Sequence, residues 1–284
     1  MQPILRFAPS PNGYLHLGHA YSALINARIA ERVGGKLLLR MENIDSNRCK
    51  AEFETAIIED LAWLGVRFDG EIRRQSDHLS DYDAALARLV AAELAYSCFC
   101  TRSQIARAVE NRTGWSRDPD GSQIYPGTCR LLSGAERQRR TNARRPFALR
   151  IDIEKARASI ETELVWREFG EGETERLTRA EPQAWGDAVL ARRDIAASYH
   201  IAVVVDDHLQ GVTNVVRGKD LFHATALHRL LQTLFGWSAP AYHHHDLVRD
   251  ERGDKLSKRT AAKSIRSLRR EGMSAQEIRR RLGF

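Results

Sequence analysis

The spacing of apolar positions changes twice within the first 41 residues. Ile4-Leu5-Arg6-Phe7 is a short extended run halted by Pro9 and Pro11. Across 17–33, Tyr21, Ile25, Ile29 and Val33 recur at four-residue steps, which predicts a helix, and Gly34-Gly35 is a helix stop. Lys36 to Met41 then has the uninterrupted apolar centre of a strand covered on both faces. Strand, crossover helix and buried strand in this order predict a parallel sheet.

The same reading places a second helix on Phe53, Ile57, Leu61 and Leu64 with Gly65 as its stop, and a third over Asp81 to Tyr96. From Ser97 to Arg145 the periodicity dissolves into Gly, Asp, Pro and Arg. A stretch that long and irregular needs something besides a core to hold it. Phe147, Leu149, Ile151 and Ile153 alternate as a half-exposed strand, Ile201 to Val205 has the buried-strand pattern, and Asp220 to Phe235 reads as a helix closed by Gly236. The expected fold class is α/β: a doubly wound parallel sheet split by an irregular insertion and followed by a short helical C-terminal region. The expected division is 1–96 and 186–240 for the two halves of the α/β domain, 97–185 for the insertion, and 241–284 for the rest. Ligands of such sheets bind at the carboxyl ends of the strands.

Composition adds limits. The 284 residues carry 43% hydrophobic side chains and a mean hydropathy of -0.45, as ordinary globular proteins do. No stretch approaches the roughly 18 consecutive apolar residues of a membrane span, and Arg6 with the run 9–13 interrupts any signal-like segment. A cytoplasmic protein without membrane contact is expected. The net charge of +7 is uneven: residues 255–284 hold ten Lys/Arg against two Glu, a net of +8, which leaves -1 for the remainder. A basic tail on a neutral body suits a polyanion, and equally a solvated helix face.

Four cysteines are too few for a disulfide framework. Cys98, Cys100 and Cys129 share one segment, which in a reducing compartment points to a metal; three reduced thiols are the plain alternative. Cys49 stands alone. The triplet His243-His244-His245 is internal, unlike a purification tag.

Two segments carry recognisable chemistry. Leu15-His16-Leu17-Gly18-His19 lies where the first strand hands over to its helix; two imidazoles three positions apart share a face, and the helix N-terminus adds positive potential. A small residue between them admits a planar base, so the segment suits a nucleoside triphosphate, though helix-start histidines without function satisfy the same pattern. Lys255-Leu256-Ser257-Lys258-Arg259 follows the turn Arg252-Gly253-Asp254, and loop lysines can neutralise charge developing on phosphates.

Pro9-Ser10-Pro11 leading to HLGH, with KLSKR late in the chain, resembles the paired signatures of class I aminoacyl-tRNA synthetases. The blocks RFAPSPNG (6–13), RMENID (40–45) and VVRGKDL (215–221) are similar to the glutamyl/glutaminyl branch, and the resemblance covers essentially the whole chain in five ordered blocks. It implies a ligase in which the α-carboxylate of L-glutamate attacks the α-phosphorus of ATP and expels pyrophosphate. His16, Gly18, His19, Lys255 and Lys258 would bind ATP, with His16 and His19 on its phosphates, Lys258 at the transition state and Mg²⁺ on the triphosphate; His16, His19 and Lys258 are the expected catalytic residues. Arg6 and Arg217 would fork onto carboxylates and Glu42 would pair with the ammonium. Phe7, Ala8, Pro9, Ser10 and Tyr199 would complete the pocket.

The segment 203–221 is especially close to a truncated member of that branch, and with only 25 residues after Arg259 no anticodon-binding domain is expected. This implies transfer of glutamate to the queuosine base of tRNA(Asp), by an enzyme expected to be a monomer, with one structural zinc on Cys98, Cys100, Tyr125 and Cys129. The alternatives are a compact synthetase charging tRNA(Glu), a non-catalytic tRNA-binding paralogue, and a small nucleotidyltransferase sharing the HxGH helix start. Asn43 stands where the branch usually has aspartate, and Ser46-Asn47 where prolines are common. These departures put local loop shape in doubt, not the reaction.

Overall fold

The computed structural model describes residues 2–170, 175–248 and 263–284. In chain order its strands are β1 (Ile4–Phe7), β2 (Lys36–Met41), β3 (Arg73–Arg74), β4 (Ala95–Cys98), β5 (Ala148–Ile151), β6 (Val165–Phe169), β7 (Glu175–Arg179), β8 (Val189–Ala191), β9 (Asn214–Gly218) and β10 (Ala241–His245). The helices are α1 (Leu17–Arg32), α2 (Ala51–Trp63), α3 (Leu79–Ala91), α4 (Arg102–Val109), α5 (Gly134–Asn142), α6 (Ile153–Ala158), α7 (Tyr199–Leu209), α8 (Ala224–Phe235), α9 (Ile265–Arg270) and α10 (Ala275–Arg281).

Seven strands form one sheet in the order β3-β2-β1-β9-β10-β6-β7, parallel except where β7 turns back along β6. β4, β5 and β8 form a separate antiparallel sheet. Residues 97–185 therefore contribute to both sheets. The β1-α1-β2 unit is the one the apolar spacing predicts. β1 pairs with β2 on one side and with β9, from far along the sequence, on the other. The chain reverses direction of winding there, and such a switch point opens a crevice at the strands' carboxyl ends.

Helices cover both faces, so central strands are buried on each. Val215 belongs to the cluster formed with α3, α7 and α8, while Val216, one position on, belongs to the cluster formed with α1, α2, α9 and α10.

Three expectations are corrected. Ile201 to Val205 is not a strand but the centre of α7, a helix sunk so deeply that all five residues are buried. The third helix ends at Ala91 and Tyr96 lies in β4; the turn between them places Glu93, not a glycine, at a positive φ of 55°. The alternation from Phe147 to Ile153 breaks after Ile151, because Asp152 caps α6 by accepting from the Lys155 amide at 3.1 Å. α8 closes on Gly236 in the left-handed region, as its sequence predicts.

Candidate functional site

A cleft of about 500 Å³ opens at the carboxyl ends of β1, β9 and β10. Of the residues singled out from sequence, Arg6, Phe7, Ala8, Pro9, Ser10, His16, Gly18, His19, Glu42, Tyr199 and Arg217 all line it. Lys255 and Lys258 lie outside the described residues. On either side of that segment, Leu247 and Val248 line the same cleft, and Ser264 forms an isolated antiparallel bridge with His16.

The histidines are held by the start of α1. His16 is its N-cap, its Nδ1 accepting from the Gly18 amide at 3.1 Å, and His19 Nδ1 accepts from the His16 amide at 3.2 Å. With both Nδ1 atoms accepting, each neutral ring carries its proton on Nε2. The ring centroids are 3.9 Å apart. A Cβ at Gly18 would meet the His16 ring at 3.0 Å, so any side chain there would press on the imidazole. The site thus offers two N–H donors beside a helix N-terminus, an anion-binding arrangement.

Opposite them lie two guanidinium groups of different standing. Arg6, only 3% exposed, gives Nε to Asp207 Oδ1 at 2.9 Å; among the described residues its terminal nitrogens have no hydrogen-bond partner. Arg217 is engaged at all five donors. Nε reaches His244 Nε2 at 3.2 Å, Nη1 reaches Tyr199 Oη at 3.1 Å and His228 Nδ1 at 3.3 Å, and Nη2 reaches the Leu221 carbonyl at 3.1 Å and Thr225 Oγ1 at 2.7 Å. Glu42 lines the cleft with its carboxylate 3.6 Å from Arg40 Nη2. Burial raises its carboxyl above the usual range, against the pull of Arg40 and Arg6.

Sequence reading missed what supports these groups. Asp207 Oδ1 takes Arg40 Nη1 at 2.8 Å as well as Arg6. Behind it Asp206 accepts from Arg73 Nε and Gln75 at 2.7 Å each and from Tyr82 at 3.0 Å. Both aspartates project from α7, whose misreading as a strand hid them. Asp220, Ser22 and Asn12 also line the cleft.

The cysteines form a second site away from the cleft. The sulfurs of Cys98, Cys100 and Cys129 lie within 4.8 Å of one another, Cys100 and Cys129 at 3.5 Å. Tyr125 Oη is 3.4 Å from Cys100 Sγ and accepts from the Cys129 amide at 2.7 Å. Sulfurs on a tetrahedral zinc with bonds of about 2.3 Å sit roughly 3.8 Å apart, so the thiols present fit such an ion. Donation from Cys98, then from Tyr125 and the Phe99 amide, draws Cys129 down to about 4 against its burial. Donation to Cys129, and then burial, pushes Cys98 up. The cluster already favours at least one thiolate. With Tyr96 and Phe99 it forms its own small core, which organises the irregular stretch after β4.

No helix among the described residues is long and apolar enough to cross a membrane. The chain is 44% identical over 283 residues to a glutamyl-Q tRNA(Asp) synthetase of Rhodobacter capsulatus, covering 99% of this chain and 100% of that protein. It is 41% identical to one of Geobacter sulfurreducens, covering 94% of this chain and 80% of the relative. A glutamate tRNA ligase of Elizabethkingia meningosepticum, crystallised with its amino acid, superposes with a TM-score of 0.73 at 26% identity. The match covers 96% of this chain but only 54% of that one. The family described as tRNA synthetases class I (E and Q), catalytic domain, matches residues 4–283. With that match across a switch-point cleft lined by the paired histidines of α1, the chain belongs to the class I tRNA synthetases of the glutamate and glutamine group, as an enzyme built on their catalytic domain.

Proposed function

We propose that this enzyme activates L-glutamate with ATP and passes it to the queuosine base in the anticodon of tRNA(Asp). The observation that carries the first half is one cleft lined by the guanidiniums of Arg6 and Arg217, the carboxylate of Glu42 and the imidazoles of His16 and His19. Glutamate brings two carboxylates and an ammonium, the complementary set. The free fork of Arg6 takes a carboxylate, the Arg217–Tyr199 pair presents positive charge to a carboxylate, and Glu42 takes the ammonium, whose arrival offsets the burial that raises its carboxyl.

An α-carboxylate oxygen attacks the α-phosphorus of ATP. The bond to the bridging oxygen breaks and pyrophosphate leaves with its electron pair. No general base is required, since a carboxylate is already nucleophilic. His16 and His19 donate from Nε2 to phosphate oxygens, and the amides at the start of α1 add to the same field. Lys258 is assigned to the leaving phosphates, and Mg²⁺ supplies charge neutralisation on the triphosphate when bound. The thiolates of Cys98, Cys100 and Cys129, with Tyr125, would hold a structural zinc.

The acceptor rests on the relatives named above, one of which this chain matches end to end, and on the basic residues of 263–284 as an RNA-backbone contact. Glutamate tRNA ligases are also relatives, one of Coprothermobacter proteolyticus being 34% identical over 273 residues, so charging of tRNA(Glu) is the second reading. Glutamate-dependent exchange between ATP and pyrophosphate without tRNA tests the activation step. Clear exchange with glutamate, little with glutamine or aspartate, and near-complete loss in Lys258→Ala are expected; equal exchange with glutamine refutes the pocket. Acylation of tRNA(Asp) with and without queuosine, beside tRNA(Glu), separates the two acceptors.

A further inference from the structure

The histidine triplet on β10 has so far been given no task, and its middle member touches the pocket's most heavily bonded residue. His244 Nε2 accepts from Arg217 Nε at 3.2 Å. An arginine can only donate, so this nitrogen must be the bare one and the ring proton must sit on Nδ1. That atom lies 2.9 Å from Glu168 Oε1 and 3.0 Å from Oε2. Glu168 is itself fixed on β6 by the His244 backbone amide at 2.9 Å and by Trp166 Nε1 at 2.9 Å. All its named partners donate, which only an ionised carboxylate satisfies fully. Imidazole and carboxylate are nearly inaccessible, at 2% and 9% side-chain exposure, so no solvent competes for these positions.

We infer that Glu168 and His244 are positioning residues for Arg217: the carboxylate sets the tautomer of His244, and the tautomer gives Arg217 Nε an acceptor that holds its guanidinium, and so its positive charge, at the cleft wall where the amino-acid substrate binds. This deepens the glutamate reading proposed above and rests on it for the identity of the substrate, though not for the geometry of the relay. Thr225 closes the arrangement, accepting from Arg217 Nη2 at 2.7 Å and lying 3.2 Å from His244 Nε2. The neutral ring fits its environment. Burial holds His244 below its usual value against the pull of Glu168. Burial alone would raise Glu168, but His244 and Trp166 together hold it low. The contact is therefore a hydrogen bond between a neutral imidazole and a carboxylate, and Arg217 keeps the positive charge.

Glu168→Gln isolates the idea with minimal change of shape. In either orientation a glutamine sets its N–H against a donor, the His244 amide or Trp166 Nε1, and leaves His244 Nδ1 one neutral oxygen in place of a carboxylate, so the hold on the Nδ1 proton weakens and with it the acceptor offered to Arg217 Nε. Losing a buried charged hydrogen bond in this way should raise KM for glutamate by about ten- to a hundredfold, with KM for ATP and kcat within about twofold. Unchanged KM for glutamate, or a fall in kcat alone, overturns the proposal. Nitrogen-15 NMR of histidine-labelled protein reads the relay without any substrate, the His244 signal being assigned by its absence in His244→Asn. The wild type should show His244 neutral and protonated at Nδ1; protonation at Nε2 overturns the proposal even where the Glu168→Gln protein fails to fold. Absence of glutamate-dependent exchange in the wild type would instead sink the substrate reading, leaving the tautomer measurement to decide the relay.

Discussion

Arg6 and Arg40 converge on a single oxygen of Asp207, at 2.9 and 2.8 Å, with Arg40 completely buried. The shared acid reconciles two positive charges that would otherwise repel in a place water does not reach. It also fixes the direction of Arg6, whose free terminus faces the cleft.

Asp207→Asn should therefore be costly. Removing one partner of a buried ionic cluster typically loses about 3–5 kcal/mol, so a large fall in the urea midpoint is expected, together with a raised KM for glutamate. A variant as stable as the wild type would show that the cluster is dispensable.

Acid should act on the same group. Burial would raise the Asp207 carboxyl, but Arg6 and Arg40 outweigh it and hold it below the usual range. Its stabilisation is complete above the unfolded value of about 3.9 and is lost as pH falls through the lower folded value. The loss of stability with acid below that point should be shallower in Asp207→Asn than in the wild type, measured by urea titration at stepped pH.

A second pH window lies higher. His200 is driven to about 4 by burial and by Arg217, and its neighbour His228 lies well below its ordinary value for the same reasons. The unfolded chain takes up these protons near pH 6.5 while the folded one resists. The stability they contribute is present above about 6.5 and declines as pH drops towards 4. His200→Gln should flatten the urea midpoint between those limits; an unchanged slope would remove His200 from the account.

His19→Asn keeps an acceptor near the position of Nδ1 for the His16 amide and deletes the Nε2 donor. Loss of one preorganised donor should lower the ATP–pyrophosphate exchange rate by about a hundred- to a thousandfold with little change in melting temperature. Melting that falls in step with activity would mean that the ring serves only the helix start.

Metal analysis of the purified enzyme should find one zinc per chain. Cys129→Ser should lose it and melt early, and Tyr125→Phe should bind it more weakly. A metal-free protein that melts as late as the loaded one would refute the structural assignment.

The β1-α1-β2 unit and the cleft residues on it were legible in the sequence because each signal is local: alternation of spacing, a glycine stop, two imidazoles on one turn. α7 was not. Five successive apolar residues fit a buried strand and a buried helix equally, and only length separates them. Asp206 and Asp207 follow that run directly, so the error concealed the acids that hold Arg6, Arg40 and Arg73. The end of α3 was invisible for another reason: Glu93 takes the left-handed turn that a glycine normally announces. Asp152, by contrast, was a readable cap that strand alternation overrode. The Arg217–His244–Glu168 contacts join β9, β10 and β6, and no spacing along a single chain reveals a meeting of three strands.

The bridge between Ser264 and His16 has a temporal side. The Ile265 amide donates to the Leu15 carbonyl at 2.8 Å, Ile265 and Ile278 are fully enclosed, and the Phe284 ring lies under Arg28 of α1. During translation the first signature leaves the ribosome long before these residues exist. Among the described residues, 264–284 are made last yet pack against the turn that carries the first histidine, so a chain cut before Ser264 would keep the contacts named from Arg6 to Arg217 and lose the packing beside its two histidines.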